Sequence, residues 1–168
     1  MEEFKLTIDF WISELKKYDL DQLCTRPSAE SWSLGQLYIH LINDTTFFIE
    51  QVKTCVSTND NESENALPFA KKIFLENEFP NEVIIGAPSN ALIPQPENKE
   101  QLIEGLVNLK KEIIKAENLI SRSKFKGKTK HPGLDYFSAM EWLRFGELHF
   151  HHHLRQKKRI DMFLKKME

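Results

Sequence analysis

Residues 138–165 contain no proline, and their large apolar side chains recur at helical spacing. On a wheel of 3.6 residues per turn, Trp142, Phe145, Ile160 and Phe163 all fall within roughly 40° of His149. Such a stripe has to be buried, so the segment predicts one long helix packed against others. His153 lies on the same stripe, one turn beyond His149, and Gln156 is close by. His151 falls on the opposite face, toward water, and His152 sits on the shoulder about 60° away. The run "HFHHH" therefore divides into two inward imidazoles and two of lesser standing.

The remaining segments supply partners for that helix. Phe4, Ile8, Trp11, Leu15 and Tyr18 repeat at three and four residues and predict a first helix over about 4–18. Ser33 with Gln36 three residues on forms a capping-box signature, with Trp32 placed to staple against Leu37. The helix it starts should run to about Cys55, burying Leu34, Leu37, Leu41, Phe48 and Val52. Asn98 caps a third long helix to about Ile120, with Leu102, Leu106, Leu109, Ile113 and Ile120 inward. Between them, residues 57–97 hold "STNDNESEN", a short helical stretch "LPFAKKIFLEN" and the proline-rich "GAPSNALIPQP". The basic run "RSKFKGKTKH" reads as a solvated linker, and "HPG" as a chain reversal before the last helix. Four long helices without an alternating strand predict an all-α four-helix bundle with one long crossover, forming a single domain over 1–168.

Composition narrows the function classes. A chain of 168 residues can bury an adequate core without a metal or disulfides to hold it together. Its net charge of -2 gives no basic face for nucleic acid. Cys24 and Cys55 are too few for a disulfide framework, and the opening "MEEFKLTIDFW" lacks the basic segment and apolar core expected of a leader. No apolar run approaches a membrane span. The expectation is a soluble cytoplasmic protein acting without nucleic acid or membrane; a homodimer through helix faces is compatible with a bundle.

The inward histidines carry the chemistry. Residues at i and i+4 stack on consecutive turns, so His149 and His153 can reach one ion from a regular backbone. Two imidazoles do not complete such a site, and His40 on the second helix is the best third ligand. Asp44 lies one turn from His40, and Gln51 continues that polar line. The alternative stays open, because a histidine buried alone is commonly satisfied by a carboxylate or a carbonyl. Three neutral imidazoles would leave positions for water or a thiolate, the pattern of a catalytic metal centre. Zinc, nickel and iron all accept this donor set. Asp44 could fix the tautomer of a ligand histidine, and Gln156 could do so within its own helix. His131 and His152 stand between rim and ligand. No HExxH motif supplies a zincin base; Glu141 reads as a surface residue and Glu147 as outward. Cys55 is too far from His40 to join the site.

"SWSLGQLYIHL" and "KHPGLDYFSAMEWLRFGELHFHHHLRQ" resemble the DinB/YfiT-like superfamily of small metal-binding four-helix proteins, and are closest to an uncharacterised, mostly bacterial branch of it. The resemblance implies a divalent metal, zinc or nickel, held by one histidine of the second helix and an HxxxH pair of the last. On this chain those are His40, His149 and His153. It further implies chemistry of the kind found in relatives that transfer low-molecular-weight thiols. The expected function is thus a metal-dependent enzyme on a small molecule, of the thiol-transferase or hydrolase type. A noncatalytic metal-binding or stress-response helical protein is the competing expectation.

Overall fold

In the computed structural model, which describes residues 2–81, 90 and 92–167, the chain forms helices α1 (Glu2–Leu15), α2 (Leu20–Cys24), α3 (Leu34–Cys55), α4 (Pro68–Glu76), α5 (Lys99–Arg122) and α6 (Ala139–Leu164). Strands β1 (Lys128–His131) and β2 (Asp135–Ser138) form an antiparallel hairpin between α5 and α6. The fold is all-α in character, but six helices and a hairpin replace the strict four-helix bundle expected. Its four long helices are α1, α3, α5 and α6. α3 is central: it packs against α6 and α5, and α1 packs against both α5 and α6.

The start signals operate as their chemistry dictates. Ser33 and Gln36 close a reciprocal capping box on α3, and Ser138 and Glu141 close another on α6. Each box satisfies backbone N–H groups that a helix start leaves without partners. Glu141, expected at the surface, is thereby committed to the cap, its Oε2 accepting from Ser138 N at 2.8 Å. Asn98 caps α5 through Gln101 N. The apolar stripes become the core: Phe4, Ile8, Trp11 and Leu15 of α1 meet Leu102, Leu106, Leu109 and Ile113 of α5 and the inner faces of α3 and α6. α1 stops at Leu15, short of Tyr18. Tyr18 is instead a polar anchor whose hydroxyl donates to Asp161 Oδ1 at 2.6 Å.

The hairpin corrects the reading of 122–131 as a solvated linker. β1 carries lysines at alternate positions, and its other residues, Thr129 and His131, pair with Phe137 and Asp135. Phe137 is fully buried, and Trp142 Nε1–H donates to Thr129 Oγ1 at 2.7 Å. Reversal over Pro132–Leu134 is completed by Asp135 at φ 62, a left-handed conformation that aspartate tolerates better than most residues. The polar stretch after α3 binds this segment: Gly127 N–H donates to Thr58 O at 2.8 Å and Lys128 N–H to Asp60 O at 2.9 Å. A side chain at Gly127 would meet Thr58 O at 2.4 Å, so only glycine allows that approach.

The short helix expected within 57–97 is α4, with Pro68 in its first turn and Asn77 in the left-handed conformation at its end. Part of the proline-rich stretch, residues 86–89 and 91, lies outside the described residues. Its end is pinned to the start of α3, where Ser33 Oγ–H donates to Gln95 Oε1 at 2.7 Å and Trp32 Nε1–H to Asn90 O at 3.1 Å. Among the described residues no helix is long and apolar enough to cross a membrane.

Candidate metal centre

His40 stands two turns into α3, and His149 and His153 face it from consecutive turns of α6. The structure brings the three together. Their Nε2 atoms form a nearly equilateral triangle, with His40 at 3.2 Å from both His149 and His153, and those two 3.1 Å apart. Only 4–9% of each residue is exposed, which leaves bulk water little share in solvating the ring nitrogens.

This geometry suits a divalent ion. Bonds of about 2.0–2.1 Å place neighbouring ligand nitrogens roughly 3.3 Å apart in a tetrahedron and roughly 2.9 Å apart in an octahedron. The observed separations lie between those values. Burial, reinforced by neighbouring imidazoles, lowers His40 to about 4 and His153 to about 3, and takes His149 well below its ordinary value. The rings are therefore neutral at pH 7, as ligands must be. Neutral rings with their protons on Nδ1 would point three lone pairs at one another, and a cation converts that repulsion into bonding. The three residues also make up a group able to hold a metal ion.

The outer ring nitrogens differ. His153 Nδ1–H donates to Gln156 Oε1 at 3.0 Å, which leaves Nε2 free to coordinate. His40 Nδ1 faces Asp44 Oδ1 at 3.5 Å, an ion-pair distance but too long for a good hydrogen bond. His149 Nδ1 is buried without a hydrogen-bond partner among the described residues. The other Asp44 oxygen, Oδ2, stands 3.9 Å from His149 Nε2. One carboxylate thus borders both the back of His40 and the front of His149. Its side chain is 37% exposed, making it the most solvent-open polar group at the triad, and burial of the remainder raises it to about 6.

Aromatic rings enclose the centre. Trp32, expected to staple Leu37, lays its ring against His40, with centroids 4.8 Å apart, and stacks toward His153 at 6.5 Å. The sequence signal for this role was available, because the residue just before a helix cap lies over the helix's first two turns. Phe48 and Phe145 approach His149 from the other side at 5.8 and 6.4 Å. His152 is displaced onto Phe79, with centroids 5.0 Å apart, and lies outside the triad, as does His131 on the hairpin. His151 is exposed as expected, although its Nε2 also meets Thr7 Oγ1 at 3.1 Å.

Two further placements depart from the sequence reading or complete it. Glu147, expected outward, is 2% exposed. Arg144 folds back one turn to pair with it, while the same guanidinium reaches Asn77 at the end of α4 and Glu3 of α1, so that this face of α6 is covered too. Cys55 lies far from His40, buried against the hairpin with Sγ 3.6 Å from Phe137 O.

No curated protein sequence matches this chain. The family comparison resolves the superfamily and no particular branch within it. The sequence profile of the DinB superfamily matches residues 4–156, from the first buried side chain of α1 to the glutamine that orients His153, and the chain belongs to that superfamily.

Proposed function

We propose that this protein is a divalent-metal-dependent enzyme acting on a small molecule, of the thiol-transferase or metal-assisted hydrolase type. The convergence of three neutral Nε2 atoms from α3 and α6 carries the reading, since three protein ligands leave coordination positions for a reactant. Zinc, nickel or iron bound there would supply a Lewis acid able to hold a thiolate or hydroxide at neutral pH. The protein's own groups do the rest. His40, His149 and His153 bind, and Gln156 keeps the His153 proton on Nδ1. Asp44, 3.5 Å from His40 Nδ1 through Oδ1 and 3.9 Å from His149 Nε2 through Oδ2, is placed to take the proton given up by a thiol or a water. The aromatic rings of Trp32, Phe48 and Phe145 limit bulk water around these groups. A low-molecular-weight thiol is the proposed co-substrate.

The test has two stages. Untagged protein should carry about one divalent ion per chain, and His149→Ala should lose it; equal metal content in the two would sink the metal centre. Metal-loaded protein should then turn over thiol and electrophile pairs, or esters and amides, and Asp44→Asn should abolish that turnover while metal is retained. Low exposure of all three histidines favours a second reading, a noncatalytic metal-binding protein, and a metal-loaded chain inert across both screens would establish it.

A further inference from the structure

His131 stands outside the triad and none of the roles above involves it. It ends β1 opposite Asp135, and its half-buried ring stacks on Trp142 with centroids 5.4 Å apart and planes at 29°. Phe145 meets it edge-on at 5.1 Å, and the Phe145 ring lies parallel to His149, at 6° and 6.4 Å. A single aromatic ring therefore separates His131 from the metal centre. The hydrogen bond from Trp142 Nε1 to Thr129 Oγ1 fixes the indole face on which His131 rests.

The tautomer of this ring follows from its surroundings. Gly133 N–H donates to His131 Nδ1 at 3.1 Å. A ring nitrogen that accepts carries no proton, so the proton of the neutral imidazole is on Nε2. Burial lowers this histidine to about 4, which keeps it neutral at pH 7. The hydrogen bond this ring makes among the described residues is the one at Nδ1, which leaves the Nε2–H over. Stacking alone would be served equally well by phenylalanine. An imidazole oriented by a backbone amide, with a single donor left over beside a metal centre, is suited to recognition.

We propose that His131 is a substrate-binding residue whose Nε2–H donates to a carbonyl or carboxylate oxygen of a small molecule, while the other end of that molecule takes a coordination position that His40, His149 and His153 leave free. This rests on the metal-centre reading and adds to it a substrate class: a metal-seeking head group joined by a short chain to an oxygen acceptor. A neutral donor requires no charge on that oxygen, so esters, amides and acids all qualify. The hairpin thereby gains a role in specificity, because the position of His131 relative to α6 sets the length of molecule that spans both contacts.

Cobalt-loaded full-length protein tests this with mercaptocarboxylates of two to six carbons and alkanethiols of matching length, with binding read from the thiolate-to-cobalt absorption. One chain length should bind about tenfold more tightly than its alkanethiol, the worth of one good hydrogen bond. His131→Phe, which keeps the stack, should lose that gain and bind the alkanethiols as the parent does. Short-chain chelation persists in both proteins and cancels in the comparison. An unchanged length preference in His131→Phe overturns the proposal. In zinc-loaded parent protein, the His131 Nε2–H proton resonance should move downfield with the preferred mercaptocarboxylate and stay in place with the alkanethiol; an unmoved resonance overturns the proposal independently of how the variant folds. Absence of any cobalt-dependent absorption in the parent would instead remove the metal-centre reading itself, and this proposal with it.

Discussion

His153 and Gln156, three residues apart on α6, meet at 3.0 Å between Nδ1 and Oε1. The contact selects the tautomer in which Nε2 is a lone pair, so Gln156 would act through the ring on an ion held there. Gln156→Leu should weaken zinc binding about 10- to 100-fold in a competitive chelator titration, whereas Gln156→Glu, which keeps an acceptor, should stay close to the parent. Equal affinity for the leucine variant would show that packing alone holds the ring.

Acid should destabilise the metal-free protein over a defined window. His40, His131 and His153 are held at about 4, about 4 and about 3 in the folded chain, below the ordinary value near 6.5. Below that value the unfolded chain takes up protons that the folded one refuses, so stability is complete above pH 6.5 and is lost progressively as pH falls toward 3. Urea midpoints measured from pH 7 to pH 4 should decline, and His131→Phe should decline less steeply.

Lys157 is a second buried charge, 3% exposed, with its Nζ donating to Asp161 at 2.7 Å, Tyr18 at 2.9 Å and Glu14 at 3.0 Å. Although burial opposes its charge, these partners together raise its pKa well above the usual lysine value. Lys157→Met strands two carboxylates and should cost about 3 kcal/mol in denaturant unfolding, the low end for a broken buried pair because Glu14 and Asp161 keep some solvent contact. Metal content should not change. The same raised pKa means that the stabilisation from Lys157 is complete below about pH 10 and is lost as alkali passes through the folded value.

Trp32 offers an optical readout. Its ring centroid lies 4.8 Å from that of His40, whereas Phe48 stands between Trp142 and His149. Nickel or cobalt should quench tryptophan emission in the parent, and Trp32→Phe should lose most of the quenching while still binding the ion by chelator competition.

The parts of this fold that rest on local, repeated signals are legible in the sequence. Helical period placed His149 and His153 on the stripe of Trp142 and Phe145, and the box at Ser33 and Gln36 fixed the phase of α3, which set His40 and Asp44 relative to its apolar face. Features decided by distant contacts are not legible. β1 is four residues long with alternating lysines, and it exists because Phe137 and Trp142 bury against it. Glu147 reads as outward on a wheel because nothing near it announces that Arg144, Asn77 and Glu3 will cover that face. α2 spans little more than one turn, too short for its period to show. The contact of Gln156 with His153, the closeness of Asp44 to His40 and the place of Trp32 over the start of α3 all follow from local helix signals.

His40 and His149 are 109 residues apart in the chain, yet they face each other across the α3–α6 contact. An ion shared between them would be gripped only once those two helices have docked, and would have to be released before they part. Its influence would therefore fall mainly on the escape rate from the native state, with little change in the rate of reaching it. A bundle whose two central helices are tied at the end of so long a loop would owe its persistence to the slowness of ion release, and its lifetime in the cell would track metal supply.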